Sequence, residues 1–197
     1  MLAFSRLASF LLFVLSLSFL TCAAPTPMSD DLIAREGVRD NDDLLLAAVI
    51  DLRTKCYNHA EAIDKIDDSL KLIVKIDSLV KEIGAVADVI AKVKLADADA
   101  KVKADIAAHL LVVLKAVIKI CAHLIAKLDL KAALDLIVKV QAALKLLIDN
   151  LEISVSGFVD IFVKIIPEAE LKAMANVHLD ALVKLCVSAT PAIALNV

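Results

Sequence analysis

Between Asp105 and Asp129 the sequence has no acidic residue, but it holds Lys115, Lys119 and Lys127 together with His109 and His123. On a helix these five side chains fall within a sector of about 120°. Beside them runs an apolar stretch that includes Leu110, Leu111, Val112, Val113, Leu114 and Ile118. Ammonium groups along apolar walls suit the capture of a carboxylate or lipid headgroup whose chain lies on the walls. A lysine can meet such a headgroup and keep its stem on apolar surface. The same stripe also fits a solvated helix face, or one turned towards acids such as Asp42 and Asp43. Phe158 and Phe162 form the second candidate, spaced to share one helix face. They fit a packed core, or a pocket lining or lid hinged at Gly157 between Ser154, Ser156 and Phe158. Lys115, Lys119, His123, Lys127, Phe158 and Phe162 are therefore the candidate ligand-binding residues.

Catalytic signatures are absent from the sequence. The four histidines, His59, His109, His123 and His178, sit in no HExxH, and there is no Gly-x-Ser-x-Gly elbow or phosphate loop. Asp97-Ala98-Asp99 opens like a calcium loop, but Val102 stands where the sixth-position glycine belongs and Ala108 where the final Glu belongs. A pair of helix caps explains these aspartates better. His59 follows Cys56 by three residues with no CxxC nearby, which is a poor start for a metal site. The chain is expected to be no enzyme and to need no cofactor or metal.

Cys56, Cys121 and Cys186 remain once the first residues are set aside, at two equal intervals of 65. An odd number in an oxidising compartment leaves one thiol free or shared between chains, so one bridge plus one buried thiol is the expectation. Equal intervals, with Ile118-Lys119-Ile120-Cys121 matched by Val183-Lys184-Leu185-Cys186, leave an internal repeat open beside chance similarity of apolar helices.

Length and composition bound the rest. Of 197 residues, 60% are hydrophobic, 24% are charged and the formal net charge is −3, against about 45–50% apolar in typical soluble domains. Such a chain is neither disordered, nor a basic nucleic-acid binder, nor a small disulfide scaffold. Arg6, the apolar run from Leu11 to Leu20 and the small residues of Cys22-Ala23-Ala24 read in the order of a secretory signal peptide. Residues 1–24 are thus expected to be a signal and 25–39, with Pro25, Pro27 and Gly37, a mobile leader or pro-segment. Residues 40–190 form the domain, and 191–197 a tail after Pro191. Beyond the signal the longest uncharged run is Leu185 to Val197, thirteen residues, against about 20 for a membrane span. No transmembrane span is expected, and the location is secreted, extracellular or at the cell wall.

The elements that must carry these residues are helices. No proline occurs from Val38 to Ile166, and Ala, Leu, Lys, Ile and Val dominate. Asp64, Asp68, Lys71, Lys75, Ser78 and Glu82 fall within a sector of about 80°, with Asp77 and Lys81 outside it and spaced to pair. Lys131, Asp135, Lys139, Lys145 and Asp149 share about 120°. Asp40 and Asn41, Asp97 and Asp99, and Asp129 are expected helix caps, and Pro167 a first helical residue before Glu168 and Glu170. Helices are expected over 41–57, 60–95, 99–127, 130–152, 155–166 and 168–187. Short connections make neighbours antiparallel, so the expected fold is an all-α, up-and-down antiparallel bundle of five to six helices.

Asp-capped amphipathic segments such as Ile63-Asp64-Lys65-Ile66-Asp67-Asp68-Ser69-Leu70, after a leader and Ala24-Pro25-Thr26-Pro27, make the chain one that resembles the fungal hydrophobic surface-binding protein and cell-wall mannoprotein family. The resemblance covers roughly residues 41–187 and is one of pattern. It implies a small helical bundle that adsorbs to hydrophobic surfaces or holds fatty acids between helices, without catalysis. From the residues themselves the leading function is binding of a hydrophobic small molecule, a lipid or an apolar surface. The rivals are a homo-oligomer joined by a surplus apolar helix face and a membrane-active helical effector.

Overall fold

The computed structural model describes residues 30–93 and 99–189. The signal segment 1–24, Asp97 and the tail 191–197 lie outside them. Contacts divide the chain after Gly37, and the body described below begins at Val38. Seven helices and no strand occur among the described residues: α1 Asp30–Ile63, α2 Ser69–Ile90, α3 Ala100–Lys127, α4 Leu130–Ser154, α5 Phe158–Ile165, α6 Glu168–Asn176 and α7 Asp180–Ala189. The fold is an all-α helical bundle.

Aspartates punctuate it as expected, though not always where expected. Asp129 accepts the Ala132 N–H at 3.0 Å and starts α4. Asp68 accepts from Leu70 N and Lys71 N at 2.9 and 3.3 Å and starts α2. This cap moves the first break from the expected 57–60 to 64–68, and α1 runs on through Asn58 to Ile63. Asp99 precedes α3 without a side-chain cap bond. Asp40 and Asn41 are no cap at all, since α1 already runs through them from Asp30. Its one glycine, Gly37, costs about 1 kcal/mol and does not stop it. Pro167 lies one position outside α6, where its carbonyl accepts from Glu170 N and Leu171 N.

The expected helix over 168–187 is split. His178 takes φ 59°, Leu179 N bonds back to Met174 O at 3.0 Å, and the chain turns before Asp180. This is the left-handed helix end that glycine usually supplies. Histidine enters that region more readily than most side chains, and nothing else in the sequence marks the turn.

Close packing joins parallel helices. α2 and α4 make the most extensive contact, whereas α2 and α3, consecutive in the chain, scarcely touch. Lys139 bonds to Asp77, Asn150 to the Ala87 carbonyl and Ser154 to the Ile90 carbonyl, so chain positions rise together on both helices. α1 and α3 run alongside each other in the same sense, through Arg53–His109, Asp64–Lys119 and Asp67–Lys127. Around the body the order is therefore α1, α2, α4, α3. The expectation that consecutive helices would all be antiparallel neighbours holds within the hairpins α1–α2 and α3–α4 and fails between α2 and α3.

This order makes a structural repeat. Shifting by 61 residues carries buried Leu72, Ile76, Leu79, Ile83, Val86, Ala87 and Ile90 of α2 onto buried Ala133, Ile137, Val140, Leu144, Leu147, Ile148 and Leu151 of α4. The same shift carries Leu45, Val49, Leu52, Cys56, Ala60 and Ile63 onto Ile106, Leu110, Val113, Val117, Cys121 and Leu124, and cap Asp68 onto cap Asp129. The cysteines do not mark it: at a spacing of 65 they are one helical turn out of step. α5 and α6 then pack on α3, and α7 on α4. α3 is long and apolar enough to cross a membrane by length and composition, but 44% of its most apolar window is buried inside the body.

Replacing Asp68 or Asp129 by Ala is expected to cost about 1 kcal/mol each, as read by urea unfolding.

Candidate functional site

The cationic stripe of α3 is occupied by the protein itself. Lys127 Nζ lies 2.6 Å from Asp67, Lys119 Nζ 3.2 Å from Asp64, and Lys115 Nζ 3.6 Å from Glu170. His123 Nε2–H donates to the Ile66 carbonyl at 3.2 Å, with Nδ1 3.7 Å from Asp64. Arg53 donates to His109 Nδ1 at 3.0 Å. The stripe thus faces acids, but these are Asp64, Asp67 and Glu170 rather than Asp42 and Asp43. The Lys127 ammonium holds the Asp67 carboxyl below its ordinary range. Asp42 has no such partner: its Oδ1 is buried without a hydrogen bond, and partial burial with Asp43 and Asp99 nearby raises its pKa.

Phe158 and Phe162 stack on each other at 5.8 Å and are buried in the core. Gly157 adopts φ 74°, yet the corner it forms is bound on all sides. The Glu152 carboxylate accepts from Gly157 N at 3.0 Å and Val159 N at 2.7 Å, Lys103 donates to the Ser156 carbonyl, and buried Ser154 donates to Ile90. A lid hinged here would have to break these bonds. The phenylalanine pair is packing, as the commonest use of such a pair would have it.

The cysteines also depart from expectation. Cys56 and Cys121 are free buried thiols, and Cys186 is bridged to neither. Each lies on a different helix, α1, α3 and α7. Burial pushes the Cys56 and Cys121 thiols up to about 12 and the Cys186 thiol up to about 11. No group of three or more His, Cys, Asp or Glu placed to hold a metal exists among the described residues.

What the stripe pattern concealed is a different surface. The polar stripe of α2 does not point straight outward, because α2 has neighbours on two sides. Lys75, Ser78 and Glu82 turn towards α1, where Glu82 accepts from buried His59 Nε2 at 3.1 Å and from Ser78 Oγ at 3.4 Å. That rotation exposes Leu70 and Val74, at 74% and 69%. With Ile66, Lys71, Lys75 and Ser78 they line an open groove of about 510 Å3. A smaller polar cleft of about 230 Å3 lies between Lys55, Asn58, His59, Lys75 and Glu82. Asp77 pairs with Lys139 rather than with Lys81. On α4 the stripe of Lys131, Asp135, Lys139, Lys145 and Asp149 is interleaved with exposed Val138 and Leu146, so its surface is mixed. The signal for the groove was present as the apolar pair Leu70 and Val74, which lie outside the polar sector of α2 on a circumference that periodicity does not divide between core and surface.

No protein-family model, curated protein or solved structure matches this chain.

Replacing Lys115, Lys119 and Lys127 together by Gln should lower stability by no more than about 3 kcal/mol, since exposed pairs are each worth at most about 1. The difference should shrink in high salt, as read by thermal melts at two ionic strengths.

Buried thiols give a sign for pH. The unfolded chain ionises its cysteines near 9 while the folded chain keeps Cys56 and Cys121 protonated to about 12. Stability held below pH 9 is therefore lost as pH rises through that interval, by up to about 1.4 kcal/mol per thiol per unit. Urea midpoints at pH 8 and 10 should fall further for the native chain than for Cys56→Ala/Cys121→Ala.

Proposed function

We propose that this chain is a secreted, non-catalytic protein that binds apolar matter on its outside rather than in an internal cavity. The observation that carries the reading is the open groove of α2, where Leu70 and Val74 stand in water beside Ile66. Two facts weigh against an internal fatty-acid site among the described residues. The lysines proposed as its rim already hold Asp64, Asp67 and Glu170, and the phenylalanines proposed as its lining fill the core. The leader pattern of residues 1–24 supports secretion, and the pattern-level resemblance to surface-binding helical proteins supports the same reading.

Binding would proceed by desolvation of exposed side chains, with about 25 cal/mol gained per Å2 of apolar area removed from water. Exposed Leu130, Val138, Leu146 and Ile153 extend the apolar area beyond the groove, onto the α4 side. They also support the rival reading, a homo-oligomer joined through α4, which a monomer in native mass spectrometry would remove.

The test is depletion of the detergent-free protein from solution by polystyrene beads or emulsified hydrocarbon. The native chain should adsorb, and Leu70→Asp/Val74→Asp, checked for helicity, should adsorb about tenfold or more weakly. Equal adsorption of the two would remove the groove from the mechanism. No adsorption of the native chain would end the reading.

A further inference from the structure

Resting on that reading, we propose that the end of the body formed by the 64–68 and 128–129 turns docks on an anionic lipid surface. The turns are neighbours, because Lys127 at the end of α3 meets Asp67 at 2.6 Å. Exposed Leu70 opens α2 just after one turn, and exposed Leu130, at 58%, opens α4 just after the other.

The charges there are unevenly engaged. Every aspartate of the two turns is already committed inside the protein. Asp64 holds Lys119, Asp67 holds Lys127, and Asp68 and Asp129 cap α2 and α4. Lys65, Lys71, Lys75 and Lys131 have no carboxylate partner among the described residues. Lys71 and Lys75 are one turn apart on the same helix, a like-charge spacing that is unfavourable until an anion lies between them. Counting Lys119 and Lys127, six lysines stand within about two turns of this end, against Asp64, Asp67, Asp68, Asp129, Asp135 and Glu61, the last accepting from Tyr57. The nearest unengaged acid along α4 is Asp135, one turn further from the end.

Short apolar side chains at the tip with lysines around them match the boundary of a bilayer, where leucines enter the acyl region and ammonium groups stay with the headgroups. Charge selects the source: a neutral hydrocarbon surface takes Leu70, Val74 and Leu130 but gains nothing from the four lysines. An anionic headgroup layer satisfies both sets.

The experiment is flotation of the full protein, purified without detergent, with phosphatidylcholine vesicles and with vesicles containing about 30% phosphatidylserine. The expected result is at least about tenfold stronger binding to the anionic vesicles near 0.1 M salt, and loss of that preference near 0.5 M. Lys65→Gln/Lys71→Gln/Lys75→Gln/Lys131→Gln, three exposed sites and the half-buried Lys75, checked for helicity by circular dichroism, should lose the preference. Lys92→Gln/Lys101→Gln/Lys145→Gln, exposed and remote from that end, should keep it. Equal binding to both vesicle types overturns the proposal and leaves apolar-surface binding standing. Failure to bind either vesicle or polystyrene overturns both. A stable dimer that Leu70→Asp/Val74→Asp converts to monomer assigns the face to a second copy and likewise overturns the proposal.

Discussion

Asn150 and Ser154 donate from α4 to the Ala87 and Ile90 carbonyls, at the last turn of α2, at 2.9 and 2.8 Å. Ser154 is buried, and stranding its hydroxyl would cost about 1–3 kcal/mol. A slip of α4 by one turn along α2 would strand it and withdraw Asn150 from its acceptor as well. The bonds therefore fix the register of a contact whose bulk is Ile, Leu, Val and Ala. Much of the remaining arrangement follows from it. With α4 held parallel to α2, the chain between them must return along α1, so α3 lies beside α1 and diagonal to α2. The paired burial patterns of the two hairpins are what this geometry looks like from the core.

The same geometry decides which charges find partners. α3 brings its lysines to the end of α1 and the turn that follows, and the aspartates of that turn are taken there. Exposed pairs of this kind add little to stability. Their larger effect is selection: they occupy the aspartates and leave a different set of lysines facing outward. The surface chemistry of the α2 end is thus set by packing on the opposite side of the body, between α1 and α3.

Helix content, the Asp129 cap and the absence of strands among the described residues were legible in the sequence because they are local: a capping carboxylate and a 3.6-residue period act within one or two turns. The candidate site was legible only in its residue types. Lys115, Lys119 and Lys127 read equally as a headgroup rim, a solvated stripe or a stripe facing acids, and their partners stayed hidden because Asp64 and Asp67 lie more than fifty residues away in the chain. Leu70 and Val74 were not set apart from the core residues of α2, since a period fixes which residues share a face but not which face turns inward. Here α2 takes its orientation from two neighbours at once, and Glu82 is drawn into the seam by His59. The turn at His178 was hidden for another reason. Its backbone conformation is one that glycine usually announces, and a histidine there announces nothing.

Across both parallel seams the bonded residues are separated by between 55 and 64 positions in the chain. Within each hairpin the helices are joined by a turn of a few residues, so the contacts nearest that turn close with little loss of entropy. The two kinds of contact set an order of assembly. Each hairpin can zip from its turn, but neither can bury its apolar face until the other arrives, because the seam residues come together only on docking. The slow step is then the meeting of two half-formed hairpins, and destabilising the α2–α4 seam would retard folding more than it hastens unfolding.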